Sequence, residues 1–313
     1  MDYSTNVTYL TLAGHVELEK HRYVYFIITL IVYLLIICFN AVVIYVIYIN
    51  KSLHEPMYIF IAALLLNSLC GTTAFYPKLL NDFLSERQVI SYQVCTFQAF
   101  LIYTFATSEF TLLSAMAYDR FVSICKPLQY ATLIKMSTVR KILFISWFLP
   151  SCENSVGLIL TYQLKLCQFK LNRIYCDNYS IVKLSCEDTL VNNVYGLFVL
   201  IIAVVPPVVF IIYSYIRILV VCIGSSKDFR RKALQTCLPH LFIFINFSMN
   251  SCFEVINNRL QSSIPLIISV ILSVDYLVIP PLFNPIIYGL KLREILNKIK
   301  MLISHKNNTN VCF

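Results

Sequence analysis

Residues Tyr23–Ile49 read YVYFIITLIVYLLIICFNAVVIYVIYI, an apolar run without a charged side chain. A helix crossing the roughly 30 Å hydrocarbon core of a bilayer needs about 20 apolar residues, and this run is long enough. A membrane β-barrel would instead show alternating segments of about ten residues. Six further stretches follow at 57–80, 96–118, 139–162, 194–221, 237–258 and 266–290. The second has loose edges, and the sixth carries Asn246, Asn250 and Glu254. The expected fold is an all-α membrane protein: an N-terminal tail (1–22), a seven-transmembrane helix bundle (23–290), and a cytoplasmic segment (291–313).

Composition points the same way. Of 313 residues, 58% are hydrophobic and 13% charged, against about 45–50% and 25% in soluble domains. That charge content cannot clothe a water-exposed surface. The first 22 residues hold Asp2, Glu17, Glu19, Lys20 and Arg22 and lack the basic-then-apolar order of a secretory signal. Span one is therefore expected to act as its own signal anchor.

Orientation follows from the bias of Lys and Arg towards the cytoplasm. With the N-terminus outside, 16 of the 25 Lys and Arg fall on cytoplasmic segments. The sequon Asn6-Val7-Thr8 then lies outside, as a glycosylation acceptor requires, and Asn178-Tyr179-Ser180 shares that side. The net charge of +9 faces anionic lipid and a cytoplasmic partner; a nucleic-acid partner is not needed to explain it.

Twelve cysteines divide by place. Cys38, Cys70, Cys125, Cys152, Cys222, Cys237 and Cys252 lie in spans or at their cytoplasmic ends and read as small apolar side chains. Cys312 is in the tail. Cys95, Cys167, Cys176 and Cys186 fall on the oxidising face, where four cysteines allow three connectivities. One bridge from Cys95 to the long loop between spans four and five would pin it over the bundle, and a second would close within the loop. No His accompanies them, which disfavours a metal site.

Acids inside spans are costly and are functional candidates by default. They are Glu109, Glu153, Glu254 and Asp275, with only Glu109 deep in its helix. Glu109 reads equally as a functional group or as a neutral acid bonded to Asn67, Ser68 or Asn284; Glu153 reads as structural. The five histidines (15, 21, 54, 240, 305) are placed in tails, loops or near a cytoplasmic helix end. No H-E-x-x-H, Gly-rich phosphate loop or Ser–His–Asp set appears in the spans, so neither an enzyme nor a cofactor is expected. A transporter would show matching repeats with broken helices; Pro206-Pro207 and Pro280-Pro281 have no such partner pattern.

Four motifs stand in order on four spans: PMYIFIAALL (Pro56–Leu65), MAYDRFVSICKPLQY (Met116–Tyr130), KALQTCLPHL (Lys232–Leu241) and PPLFNPIIYGLK (Pro280–Lys291). Together they resemble the odorant receptor branch of rhodopsin-like G-protein-coupled receptors. The short tail, the four outer cysteines and Glu109 resemble its fish-type (class I) subset, and the resemblance covers residues 23–300. It implies a plasma-membrane receptor that detects a small extracellular odorant and activates a stimulatory olfactory heterotrimeric G protein. A metabolite sensor outside olfactory tissue, or a transporter, is the alternative.

The resemblance assigns roles residue by residue. It pairs Cys95 with Cys176. Asp119 restrains Arg120 at rest, and on activation Arg120 turns towards Tyr215 and the G-protein tail. Phe121 stands where the family usually has Tyr. Asn284-Pro285-x-x-Tyr288 resembles the N-P-x-x-Y element, with Pro285 kinking the helix so that the end bearing Tyr288 swings. Ser68 replaces the usual sodium-binding Asp of span two, so Glu109 is expected to supply that carboxylate in a polar network with Ser68 and Asn284. Ser248 aligns with a usual Trp, and the single Trp, Trp147, reads as packing. Leu292, Ile295, Leu296, Ile299 and Leu302 share one face of an amphipathic helix at the inner interface, with Lys298 and Lys300 elsewhere on it.

The ligand pocket that the resemblance implies takes Ile102, Tyr103, Ala106 and Thr107 from span three, and Val199, Leu200 and Ala203 from span five. Span six adds Ser248, Ser251, Cys252 and Val255, and span seven adds Leu277. Ile102 stands where aminergic receptors carry an Asp, which disfavours an amine held at that point. Arg259, at the outer end of span six, reads either as an anchor for a ligand carboxylate, since guanidinium binds it bidentately, or as a snorkelling interfacial Arg or a partner of Glu187 or Asp188.

Overall fold

In a computed structural model the protein is described at residues 8–14, 21–260, 266–291, 294–299 and 301. Seven long helices follow one another: α1 Arg22–Ile49, α2 Pro56–Leu84, α3 Tyr92–Cys125, α4 Met136–Tyr162, α5 Leu190–Ile223, α6 Lys227–Leu260 and α7 Leu266–Lys291. Each overruns the span read from hydropathy. Apolar runs mark only the part in hydrocarbon, whereas the helix continues into polar residues that water or headgroups solvate. The difference is largest at α6, which begins at Lys227 rather than 237. The side chains of Glu254 and Asp275 lie outside the described residues.

Local chemistry sets the helix starts. Pro56 occupies the first turn of α2, where its missing N–H costs nothing. The Ser91 hydroxyl caps α3 by accepting from Val94 N at 3.4 Å.

The helix faces sort lipid from protein. α5 buries Ala203, Ile211, Ser214, Tyr215, Ile218 and Cys222, one stripe at three- and four-residue spacing. Its opposite face exposes Val205, Val209, Ile212, Ile216 and Leu219, and α1 exposes Ile27, Ile28, Ile31 and Leu34. A bilayer is the solvent such surfaces need.

α3 is the central post, packing against α2, α4, α5 and α6, while α1 and α2 both meet α7. The α2–α3 approach is closest at Gly71, where an added Cβ would stand 2.5 Å from the Phe105 ring. Small residues at such crossings let helix backbones approach in a membrane. Asn40 Nδ2 donates to Pro281 O at 2.8 Å, tying α1 to α7.

Three short strands cap one end of the bundle. The N-terminal strand β1 (Tyr9–Leu12) pairs antiparallel with β2 (Val89–Ser91), Leu10 opposite Ile90, and parallel with β3 (Lys170–Leu171), Leu12 opposite Leu171. The loop between α4 and α5 carries a short helix, Asn178–Val182. Of the three connectivities, Cys95–Cys176 and Cys167–Cys186 form. The first fixes the loop to α3 inside a cluster of Leu10, Leu12, Ile90, Leu171, Ile181 and Leu184. Sequence periodicity does not reveal β1, because its partners are about 80 and 160 residues away (Ile90 and Leu171 opposite Leu10 and Leu12).

At the inner end, residues 294–299 are helical. Ile295 is fully buried, and Tyr58 OH donates to Glu294 Oε2 at 2.6 Å. Leu292, Lys300, Leu302, Cys312 and the sequon residue Asn6 lie outside the described residues.

Candidate functional site

A cavity of about 190 Å³ opens in the strand-capped half of the bundle, between α3, α4, α5 and the loop helix. It takes Ile102, Tyr103, Ala106 and Thr107 from α3, Val199, Leu200 and Ala203 from α5, and Ser251 from α6. Ser248, Cys252 and Leu277 do not line it: Cys252 is exposed and Leu277 is wholly buried in the core. The side chains of Val255 and Arg259 lie outside the described residues.

The sequence reading missed one wall and the roof. α4 contributes Glu153, Asn154 and Gly157, and the loop contributes Tyr175, Asp177 and Asn178. Glu153 had read as structural; it borders the cavity. Asn154 Nδ2 donates to Thr107 Oγ1 at 3.1 Å, joining α4 to α3, and Tyr195 OH donates to the Glu153 carbonyl at 2.8 Å, joining α5 to α4. Asn178 accepts from Thr161 Oγ1 at 2.7 Å, and Ser180 is buried. That sequon is therefore packed into the protein, unlike an exposed glycan acceptor. The adjacent polar pair Glu153-Asn154 inside the otherwise apolar α4 was the available signal.

Deeper in α3, Glu109 is fully buried. Asn67 Nδ2 donates to its Oε2 at 2.8 Å and Asn284 Nδ2 to its Oε1 at 2.9 Å, so one carboxyl joins α2, α3 and α7. Trp147 Nε1 donates to Asn67 Oδ1 at 3.3 Å, so the single Trp extends this network to α4 rather than only packing. Ser68 Oγ is buried without a partner. A sodium ion takes oxygen ligands, as hard cations do; the groups facing this carboxyl are N–H donors. The carboxyl is the centre of a hydrogen-bonded knot.

The end of the bundle away from the strands holds two further contacts. Arg120 donates to Asp119 Oδ2 from Nε (3.1 Å) and Nη2 (2.5 Å), and Tyr130 OH donates to Asp119 Oδ1 at 2.8 Å. Burial and the Asp119 charge push the Tyr130 hydroxyl well above its ordinary pKa, so it stays a donor. Tyr215 does not reach Arg120 here. Its hydroxyl meets His240 Nδ1, while His240 Nε2 lies 3.0 Å from Leu113 O. A carbonyl only accepts, so Nε2 carries the hydrogen and Nδ1 accepts from Tyr215. This corrects the placement of His240 near a helix end. With α6 starting at Lys227 it lies about three and a half turns inside, fully buried and clasping α3, α5 and α6. Tyr288 OH contacts Met116 Sδ at 3.8 Å, placing the end of α7 against α3.

An outer cavity and an inner Asp–Arg pair, connected by one central helix, define a membrane signal receptor. The olfactory receptor family profile matches residues 29–306. Human olfactory receptor 10J4 is 32% identical over 96% of each chain. Human olfactory receptor 52A5 is 35% identical over 88% of this chain and 89% of its own, and human olfactory receptor 51E1 is 34% identical over 94% and 93%. The chain belongs to the olfactory receptor family. It is a non-enzymatic odorant receptor of the seven-transmembrane class, multi-pass in the plasma membrane, and acts through G proteins.

Proposed function

We propose that a small organic odorant binds in the outer cavity from the extracellular side and that the partner inside is a stimulatory olfactory-type G protein. The N-terminus is extracellular and the segment after α7 cytoplasmic, which the Lys and Arg distribution supports. The observation carrying this reading is that one rigid element serves both ends: Thr107 borders the cavity, and Asp119 lies 12 residues, ~18 Å, further along α3.

The described arrangement is the resting one. Asp119, itself held by Tyr130, holds Arg120 from the side, and His240 holds Tyr215. A ligand shifts this balance only by the difference in its affinity for the two arrangements; equal binding to both shifts nothing. Contacts to α3, α4 and α5 that improve as the walls close reposition α3 against α5 and α6. Tyr215 then leaves His240 and meets Arg120, opening the inner end to the G protein. Pro285 gives α7 the local freedom for Tyr288 to follow.

The test is a cAMP reporter in cells expressing the chain with a stimulatory olfactory G protein. An odorant response that vanishes in Arg120→Ala at equal surface expression supports the reading. Odorant-driven flux into vesicles without G protein would replace it with transport.

A further inference from the structure

The cavity carries a chemical preference that rests on the ligand site proposed above. It is mainly apolar, lined by Ile102, Phe110, Val199, Leu200 and Ala203. At 190 Å³ it is smaller than the roughly 300–1,000 Å³ of drug-sized sites. Among its described lining residues there is no Lys, Arg or His, but there are two carboxylates, Glu153 and Asp177.

These two differ. Asp177 is 2% exposed and occupied: its Oδ1 accepts from Ser180 N at 2.9 Å, and its Oδ2 lies 3.6 Å from Arg173 Nε. Glu153 has only its backbone carbonyl engaged, by Tyr195 OH. Its carboxylate has no ion pair or hydrogen bond among the described residues. It sits nine residues before the end of α4, ~14 Å below the outer end of that helix, where an unpaired acid is costly. Asn192 Nδ2 and Ser251 Oγ, also of the cavity lining, are buried without partners. A closed structural site would have satisfied such groups internally.

We propose that Glu153 is the ligand's charge anchor and that the receptor's preferred ligands are small protonated amines. The ammonium pairs with the Glu153 carboxylate, and the hydrocarbon body lies against Ile102, Val199, Leu200 and Ala203. The acid that Ile102 denies to α3 is thus supplied one helix away, on α4. A carboxylate ligand would meet like charge in a space without a described cation, and a neutral isostere would leave Glu153 uncompensated.

The experiment measures binding without signalling. Purified full-length receptor in lipid nanodiscs is heated with primary amines of five to nine carbons. Each amine is matched by its isosteric alcohol and by the carboxylate of equal chain length. Amines are expected to raise Tm at the lowest concentrations. Glu153→Gln, of nearly equal volume, is expected to weaken amine binding about ten- to hundredfold, the usual effect of losing a charged hydrogen-bond partner, and to leave the alcohols unchanged. Should Glu153→Gln fail to fold, the amine–alcohol–carboxylate ranking on the natural protein still decides. The proposal is overturned if carboxylates or alcohols match or exceed the amines, if no amine binds, or if Glu153→Gln leaves amine binding intact. Amine binding with a flat cAMP response would support the anchor and count against the G-protein reading, so the two failures are distinguishable.

Discussion

At the scale of single residues, polar atoms decide how the bundle is held at rest. His240 accepts from Tyr215 and donates to Leu113 O. His240→Ala strips Leu113 O of its side-chain donor and leaves the Tyr215 hydroxyl with only the longer contact to Cys237 O; the loss is worth about 1–3 kcal/mol and frees Tyr215 to reach Arg120. Since every 1.4 kcal/mol is tenfold in a population ratio, the variant is expected to raise ligand-free cAMP about tenfold per surface receptor. Unchanged or lower basal cAMP would contradict the resting role given to this clasp. Asp119→Asn removes the charge that holds Arg120 and is expected to raise basal signalling in the same assay. Neither His240 nor Trp147 announces its role in the sequence. A lone His and a lone Trp in an apolar run are indistinguishable from packing until the opposing helix is known. Glu109 was legible, because a mid-span carboxyl is rare enough to demand partners. Its asparagine partners were among the candidates, but the choice among them needed helix rotation.

At the scale of elements, the spans were legible because lipid imposes one long apolar period on each. Their ends were not, since polar residues continue a helix as readily as they begin a loop; α6, reaching back to Lys227, is the largest example. The α2–α3 crossing gives a direct test. An added methyl at Gly71 meets the Phe105 ring at 2.5 Å, whereas one at Gly196 meets nothing within 4 Å. Gly71→Ala is expected to cost about 1–3 kcal/mol through overpacking, seen as a lower Tm and less receptor at the cell surface. Gly196→Ala, inside α5 with open space around it, is expected to leave Tm and surface level unchanged or slightly raised. The outer cap is a second test. Cys95→Ser releases the loop that roofs the cavity, and loss of a native disulfide typically costs 2–5 kcal/mol in small domains. Surface expression and ligand response are expected to fall together. The two-bridge arrangement was legible from the positions of the four cysteines, whereas β1 was not, because pairing between distant strands leaves no local signature.

At the scale of the whole molecule, an apolar belt, a basic inner face and a sheet-capped outer mouth describe a protein that reads one side of a membrane and reports to the other. The proposed N-out orientation predicts a glycan on Asn6, seen as a gel-mobility shift removed by glycosidase and absent in Asn6→Gln. The central claim is that occupancy of the outer cavity is transmitted along α3 to Arg120. It is tested most directly by cAMP dose–response curves on the natural chain, on Ala203→Phe, which fills the cavity, and on Arg120→Ala, which removes the output. The account predicts a saturable response that is shifted at least tenfold to higher ligand concentration by Ala203→Phe and abolished by Arg120→Ala, with all three proteins equally present at the surface. A response that survives Arg120→Ala, or that is indifferent to filling the cavity, would contradict it.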